Sequence, residues 1–370
     1  MLAYLRAYFK LNQLALHFHQ LTIKELRKET HDCISIAFDI PLESQADFTF
    51  KQGQNVTIKF VAEGKELRRS YSICSSLLEN ELRIAVKKVS NGIFSTYANE
   101  RLKKGDILEV LPPTGMFSTT VNPSHRKDYL FFAAGSGITP SISIIKTILF
   151  TEPHSAVTLA YGNKTSQSII FKDEIEALNN KYPKRFKLHH ILSREKTGTD
   201  FNYGRIDVSK CYQLSALVNF NIIDEFFICG PEQMIFTVKD FLTGWGIDAN
   251  NIHFELFNTP AHENAKTHSN ARYSGEDESS VTVRIDRQDF EFKLDYDGQV
   301  ILDAGLAQGA DLPFACKGGV CCTCKAKLIE GEVEMEANYG LEKSEVKAGF
   351  ILTCQAHPRS KKVVIDYDET

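Results

Sequence analysis

The chain has 370 residues, more than the roughly 250–300 at which a single core stops growing, so two or three domains are expected. Apolar residues make up 43% and charged residues 24%, which excludes a disordered chain, a collagen-like chain and a small disulfide scaffold. With 43 Lys and Arg against 47 Asp and Glu, the formal charge is −4, and the lack of a basic surplus speaks against nucleic acid as a partner.

Arg6, Lys10, Gln13 and His17 recur at helical spacing, with Leu2, Leu5, Tyr8, Phe9 and Leu16 as the apolar remainder and no acidic residue in the first 20. A basic amphipathic helix is expected over residues 1–20, too short and too polar to span a bilayer. Three fates suit it: packing on the chain's own fold, peripheral docking on a membrane or partner subunit, or absence from the native protein as a misassigned start.

Over residues 21–122 short alternating runs recur at 33–38, 54–60, 69–74, 82–89 and 107–111, separated by turn signals such as Asn91-Gly92 and Lys104-Gly105-Asp106. This texture predicts an antiparallel barrel or sandwich. From residue 123 to 260 the pattern changes. Continuous apolar runs at 129–134, 157–161, 186–192, 225–229 and 252–257 alternate with helical patterns at 138–150, 171–182 and 231–245. Buried parallel strands joined by helices are expected, as in an open α/β nucleotide-binding sheet. Residues 261–280 are polar and contain no Leu, Ile, Val or Phe, which predicts a linker. The last domain, 281–370, carries the charge asymmetry. From residue 277 onward there are 18 acidic and 11 basic side chains, net −7, against net +3 for the rest. It is expected to dock on basic surface, with a salt-sensitive attraction.

Cys316, Cys321 and Cys324 stand as C-x4-C-x2-C, and Cys354 follows after 29 intervening residues. That is the plant-type [2Fe–2S] spacing, and only one C-x2-C pair is present where a zinc ribbon wants two. Gly318 and Gly319 let the loop backbone approach the metals and aim N–H groups at the sulfurs. Cys322 is expected to be a bystander facing away. A cluster of thiolates in a long chain points to a reducing compartment, the cytoplasm.

Arg69-Ser70-Tyr71-Ser72 lies on a predicted strand, Gly92-Ile-Phe-Ser95 at a turn into a short helix, and Pro113-Thr-Gly115-Met-Phe117 in a loop. Together with Gly135-Ser-Gly137-Ile-Thr139-Pro140, at a strand-to-helix turn, and Cys229-Gly230-Pro231, this set resembles the ferredoxin–NADP reductase family. The order of its parts, with a ferredoxin-like segment last, resembles the reductase components of multicomponent oxygenases. The resemblance covers residue 18 to the end. It implies a Greek-key β-barrel for FAD, an α/β parallel-sheet domain for the nicotinamide nucleotide and an α+β, β-grasp ferredoxin domain.

The resemblance also implies roles. Arg69 would pair with a flavin phosphate, Tyr71 pack on the isoalloxazine and Ser72 bond near its reactive nitrogen. Gly92 and Ser95 would meet the pyrophosphate of FAD at a helix N-terminus. Gly135, Gly137, Thr139 and Pro140 would cradle the nucleotide phosphates, and Cys229, Gly230 and Pro231 would wall the hydride-transfer site beside Tyr71 and Ser72. Ser193-Arg194, after a predicted strand, suits a 2′-phosphate, so NADPH is expected ahead of NADH; Tyr203 is a weaker candidate for adenine stacking. Glu255-Leu-Phe257 matches an acidic strand end of the family without an assigned role. The expected acceptor is a terminal oxygenase, with a membrane desaturase, a hydroxylase or a separate ferredoxin as the alternative.

Overall fold

The computed structural model describes residues 16–257 and 277–369. The helix expected over residues 1–20 lies for the most part outside the described residues. Where the description begins, residues 16–18 have no regular structure and the first strand starts at His19. His17 Nε2 lies 3.0 Å from Asp286 Oδ1 in the last domain.

The first unit contains β1 (His19–Thr30), β2 (Cys33–Asp39), β3 (Asn55–Ala62), β4 (Lys65–Ser72), β5 (Leu82–Lys87), α1 (Ile93–Glu100) and β6 (Ile107–Thr114). All strand pairs are antiparallel, in the order β4-β3-β6-β1-β2-β5. A bridge between Ile73 and Ile84 joins the two edges, so the sheet curls into a barrel and leaves few free edge groups. Leu21, Ile23, Ile36, Val56, Ile58, Ile84 and Val110 alternate inward and form its core with Phe94 of α1.

The second unit contains β7 (Asp128–Ala134), α2 (Ile138–Thr151), β8 (Ala156–Asn163), α3 (Lys172–Lys181), β9 (Phe186–Leu192), α4 (Val208–Ser215), β10 (Glu225–Cys229), α5 (Glu232–Gly244) and β11 (Ile252–Glu255). Its sheet is wholly parallel, ordered β11-β10-β7-β8-β9. The chain winds outward from β7 and then returns to its other side, so the carboxyl ends of β7 and β10 make a topological switch point, where open sheets bind ligands. Helix α2 is buried from Ile138 to Leu149 because it lies between this sheet and the barrel. Ser143 Oγ on α2 donates to the Ser75 carbonyl at 2.6 Å, and Lys146 is held between Glu79 of the barrel and Glu174 of α3, each at 2.8 Å. Phe117, just past β6, meets Phe227 of β10 edge-on. Barrel and parallel sheet therefore share a core.

The third unit contains β12 (Glu278–Ile285), β13 (Gln288–Asp295), α6 (Ile301–Ala307), β14 (Lys325–Glu330), β15 (Val333–Met335), α7 (Lys343–Lys347), β16 (Phe350–Leu352), β17 (Ala356–Pro358) and β18 (Lys362–Asp366). Its mixed sheet is ordered β13-β12-β18-β14-β16, with β15 paired to β17 apart from it. Strand β12 begins at Glu278, inside the segment read as linker. Ser279 is fully buried there, paired with Leu294, so polar composition hid a strand start. The remainder of that segment lies outside the described residues.

Among the described residues no helix is long and apolar enough to cross a membrane.

Candidate functional site

Strand β4 pairs with β3 in strict register, Thr57 opposite Ser70 and Asn55 opposite Ser72. Arg69 points outward, its Nη1 donating to the Arg68 carbonyl at 2.7 Å. Tyr71 packs 5.6 Å from Phe94 at ring centroids, and burial raises its hydroxyl pKa well above the usual range. Ser70 Oγ lies 3.3 Å from Thr57 Oγ1. Ser72 Oγ donates to Glu255 Oε2 at 3.1 Å, which ties the barrel to the end of β11.

Gly92 caps α1 without a side chain, so the first N–H groups of that helix face outward uncapped, as an anion site requires. Ser95 behaves differently from expectation. It is buried, its hydroxyl accepts from the Val89 N–H and donates to the Gly92 carbonyl, both at 3.3 Å. It shapes the turn rather than facing out of it.

The two loops at the switch point press together. A Cβ on Gly137 would overlap the Cys229 carbonyl, so only glycine lets the Gly135–Gly137 turn approach Gly230 and Pro231. Thr139 Oγ1 donates to the Ser136 carbonyl at 3.0 Å and fixes the turn; Pro140 sits in the first turn of α2, where no N–H is needed. Beside them opens a cavity of about 760 Å³ lined by Gly135, Ser193, Arg194, Gly230, Pro231 and Phe257 among others. Four cations line it: Lys87 from the barrel, Lys164, Arg194 and Arg205. Ser193 donates to the Asn163 carbonyl at 3.3 Å. Glu195 is taken up by the amide and hydroxyl of Ser166 at 2.8 and 3.0 Å and so does not neutralise Arg194. Tyr203 is half-exposed, with Lys196 5.2 Å from its ring centroid.

Cys229 is fully buried at the end of β10, opposite Glu255 on β11. Burial first, and the Glu255 carboxylate second, hold its thiol protonated, which suits a wall and not a nucleophile. Burial also pushes the Glu255 carboxyl up to about 8; the Ser72 hydroxyl opposes this and Cys321 reinforces it. Ser72, Cys229 and Glu255 thus meet where all three units converge.

Cys321, Cys324 and Cys354 are buried and Cys316 is partly exposed. Cys316 lies beside Cys321 and Cys354, and Cys354 beside Cys324. The Gly318 N–H donates to Cys316 Sγ at 3.3 Å, and the Gly319 N–H faces Cys354. Gly319 has φ +73°, and a Cβ there would press on the Ala337 carbonyl at 2.9 Å. Cys322 turns away, its sulfur against Gly340 in the domain core. Among the described residues no three His, Cys, Asp or Glu side chains converge on one ion. The thiols instead form a run of neighbours with backbone N–H groups on two of them, a donor set that fits a two-iron cluster better than a single zinc.

Sequence reasoning does not anticipate Lys87, Lys164 and Arg205, and gives Glu255 no role. The first three come from separate elements, and only the tandem Lys87-Lys88 at a strand end hints at any of them.

A barrel with an outward arginine strand, a parallel sheet with a cationic switch-point cavity and a loop of three thiols joined by a fourth at Cys354 together define an electron-transfer oxidoreductase. The chain belongs to the ferredoxin reductase family with a fused iron–sulfur domain. Residues 20–119 match the oxidoreductase FAD-binding domain family, 131–240 the oxidoreductase NAD-binding domain family and 283–359 the 2Fe-2S iron-sulfur cluster binding domain family. It is 46% identical over 352 residues to a subunit of 1,2-phenylacetyl-CoA epoxidase from Escherichia coli K12, covering 95% of this chain and 98% of that protein. It is 33% identical to the ferredoxin reductase component of 3-ketosteroid-9-alpha-monooxygenase from Rhodococcus rhodochrous, over 94% of this chain and 96% of that one. The structure of phthalate dioxygenase reductase shares the fold, with a TM-score of 0.54 at 24% identity, over 94% of this chain and 98% of the other.

Proposed function

We propose that the chain takes electrons from NADPH and delivers them singly to a terminal oxygenase, a diiron enzyme of the phenylacetyl-CoA epoxidase type, in the cytoplasm. The observation that carries this reading is the junction of Ser72, Cys229 and Glu255 with Cys321 of the cysteine loop close by. Thr323 Oγ1 lies 3.3 Å from Thr57 Oγ1 of β3, which meets Ser70 of β4, and Ser72 of β4 bonds Glu255, so the cysteine loop, the Arg69–Ser72 strand and the end of β11 are neighbours in one molecule. The cofactors, when bound, supply hydride acceptance at the flavin and one-electron carriage at the cluster.

The chain's own residues do the rest. Arg69 and the open N-terminus of α1 at Gly92 hold the flavin phosphates, and Tyr71 covers the ring. Gly135, Gly137, Gly230 and Pro231 admit the nucleotide, with Thr139 and Pro140 holding their turn. Cys229 closes the site against water. Burial holds a proton on the Glu255 carboxyl at neutral pH, against the opposing pull of the Ser72 hydroxyl that donates to it. Arg194 and Arg205 give a 2′-phosphate two forks, which favours NADPH. Cys316, Cys321, Cys324 and Cys354 ligate the irons. The 46% identity to a subunit of 1,2-phenylacetyl-CoA epoxidase supports an acceptor of that type.

The test is reconstitution. The purified chain, analysed for one FAD and two irons, is mixed with NADPH and a phenylacetyl-CoA epoxidase lacking its own reductase. Epoxide formation is the expected result. Efficient dye reduction with no oxygenation would direct the search to a desaturase, a hydroxylase or a separate ferredoxin.

A further inference from the structure

Arg68 neighbours Arg69 in sequence but faces the other side of β4, since successive strand residues alternate. Its side chain is buried, at 8% exposure. Nε donates to Glu66 Oε1 at 2.6 Å. Nη1 crosses to the third unit and donates to the Leu312 carbonyl at 3.3 Å. The guanidinium also lies over the ring of Phe314, 4.0 Å from its centroid. Leu312 and Phe314 lead directly into Cys316. At the other end of the same loop, Thr323 meets Thr57, which in turn meets Ser70 on β4.

A guanidinium is costly to bury unless its N–H groups are bonded and its charge is balanced. Here one bond and one ring face come from the iron–sulfur domain. Glu66 and the ring of Phe18, 4.9 Å from the guanidinium, stay with the barrel, but the Nη1 bond and the closer ring are present only while the iron–sulfur domain is docked. A planar, forked cation stacked on an aromatic ring also fixes orientation, which a lysine would not.

We propose that Arg68 is a positioning residue that, with Thr57, latches the cysteine loop against the flavin strand and so sets the rate of electron passage from reduced flavin to oxidised cluster. This rests on the assignment of β4 to the flavin and of the loop to the cluster. It adds a residue that contacts neither the nicotinamide cavity nor a cluster cysteine.

The test uses the full holoprotein with Arg68→Ala, Arg68→Lys and Phe314→Leu. Flavin and iron content and nicotinamide-to-dye rates are measured first; they report on the functional reading, and wild-type protein without FAD or iron would sink that reading alone. Cluster reduction after mixing with NADPH is then followed by stopped flow, and amide hydrogen exchange is mapped over residues 57–70 and 312–323. Loss of one charge-assisted bond and its stack should slow cluster reduction about tenfold or more in Arg68→Ala. Exchange in the two mapped segments should rise, while dye rates hold. Arg68→Lys should fall between. Should Arg68→Ala lose its flavin, Phe314→Leu, which leaves β4 untouched, decides the question through the same two readouts. Unchanged transfer and exchange in the flavin-loaded variants would overturn the latch. Exchange rising evenly throughout the third unit, with no larger rise at residues 312–323 and none at 57–70, would also overturn it, because Arg68 would then support folding only.

Discussion

Arg194 stands at the wall of the nucleotide cavity, and the neighbouring Glu195 is held by Ser166 rather than by its guanidinium. A charge-assisted bond to a 2′-phosphate is worth about 1.5–3 kcal/mol. Arg194→Ala should therefore lower kcat/KM for NADPH by roughly 10–150-fold and leave NADH little changed; equal losses with both nucleotides would make Arg194 structural. Glu255 makes a different kind of prediction. The unfolded chain ionises it near 4.5, the folded chain near 8. Between those values the folded state holds a proton that the unfolded state has released, so raising pH favours unfolding. Melting temperature should fall across that window more steeply in the wild type than in Glu255→Gln, and parallel profiles would contradict it. Cys316, Cys321 and Cys324, and Arg69-Ser70-Tyr71-Ser72, stand out in the sequence as candidates because the chemistry expected of them needs fixed types at fixed spacing within one segment. Lys87, Lys164, Arg205 and Glu255 do not, because each arrives from a different strand or loop. Arg68 was hidden by its twin: only strand register tells which of two adjacent arginines faces out.

At the scale of elements, the parallel sheet was the most readable part. Strands buried on both faces read as unbroken apolar runs, and the 186–192 and 225–229 runs coincide with β9 and β10. The barrel was less so. β1 is polar over most of its 12 residues, with Leu21, Ile23 and Thr30 buried, and its alternation over residues 20–24 is too short to read. β4 starts at Lys65, four residues before the expected strand, because its first residues are exposed and charged. α4 is a short amphipathic turn set by Asp207, whose side chain accepts from the Lys210 N–H, and it is too brief to show a period. The contact of two βα turns at Gly137 offers a test at this scale. Neither backbone can give way, so Gly137→Ala should cost about 1–3 kcal/mol of stability. Nicotinamide-driven flavin reduction should fall sharply, while flavin stays bound and reducible by dithionite. Full nicotinamide reactivity in the alanine variant would show that the turns can separate.

In the whole molecule, the shared core of barrel and parallel sheet contrasts with the mixed contact of the third unit, made by Leu312 and Thr323 on the barrel and by Val320 and Tyr339 on the parallel-sheet unit, and that unit has its own order of assembly. β18 lies in the middle of its sheet, parallel to β12 and antiparallel to β14, yet it is the last strand of the domain to leave the ribosome. Until it is made, β12 and β14 have no common neighbour, and Val363 and Ile365 are missing from the core. Vectorial synthesis thus delivers a finished flavin and nicotinamide machine first, whereas the iron–sulfur unit waits for its final residues. Iron insertion is therefore expected to follow the synthesis of β18, because the core behind the four thiols lacks Val363 and Ile365 until then. A chain cut before Lys362 should emerge as a flavoprotein that still reduces dyes but holds no iron, and iron retained in that truncated protein would show that the central strand is dispensable for gathering the four sulfurs.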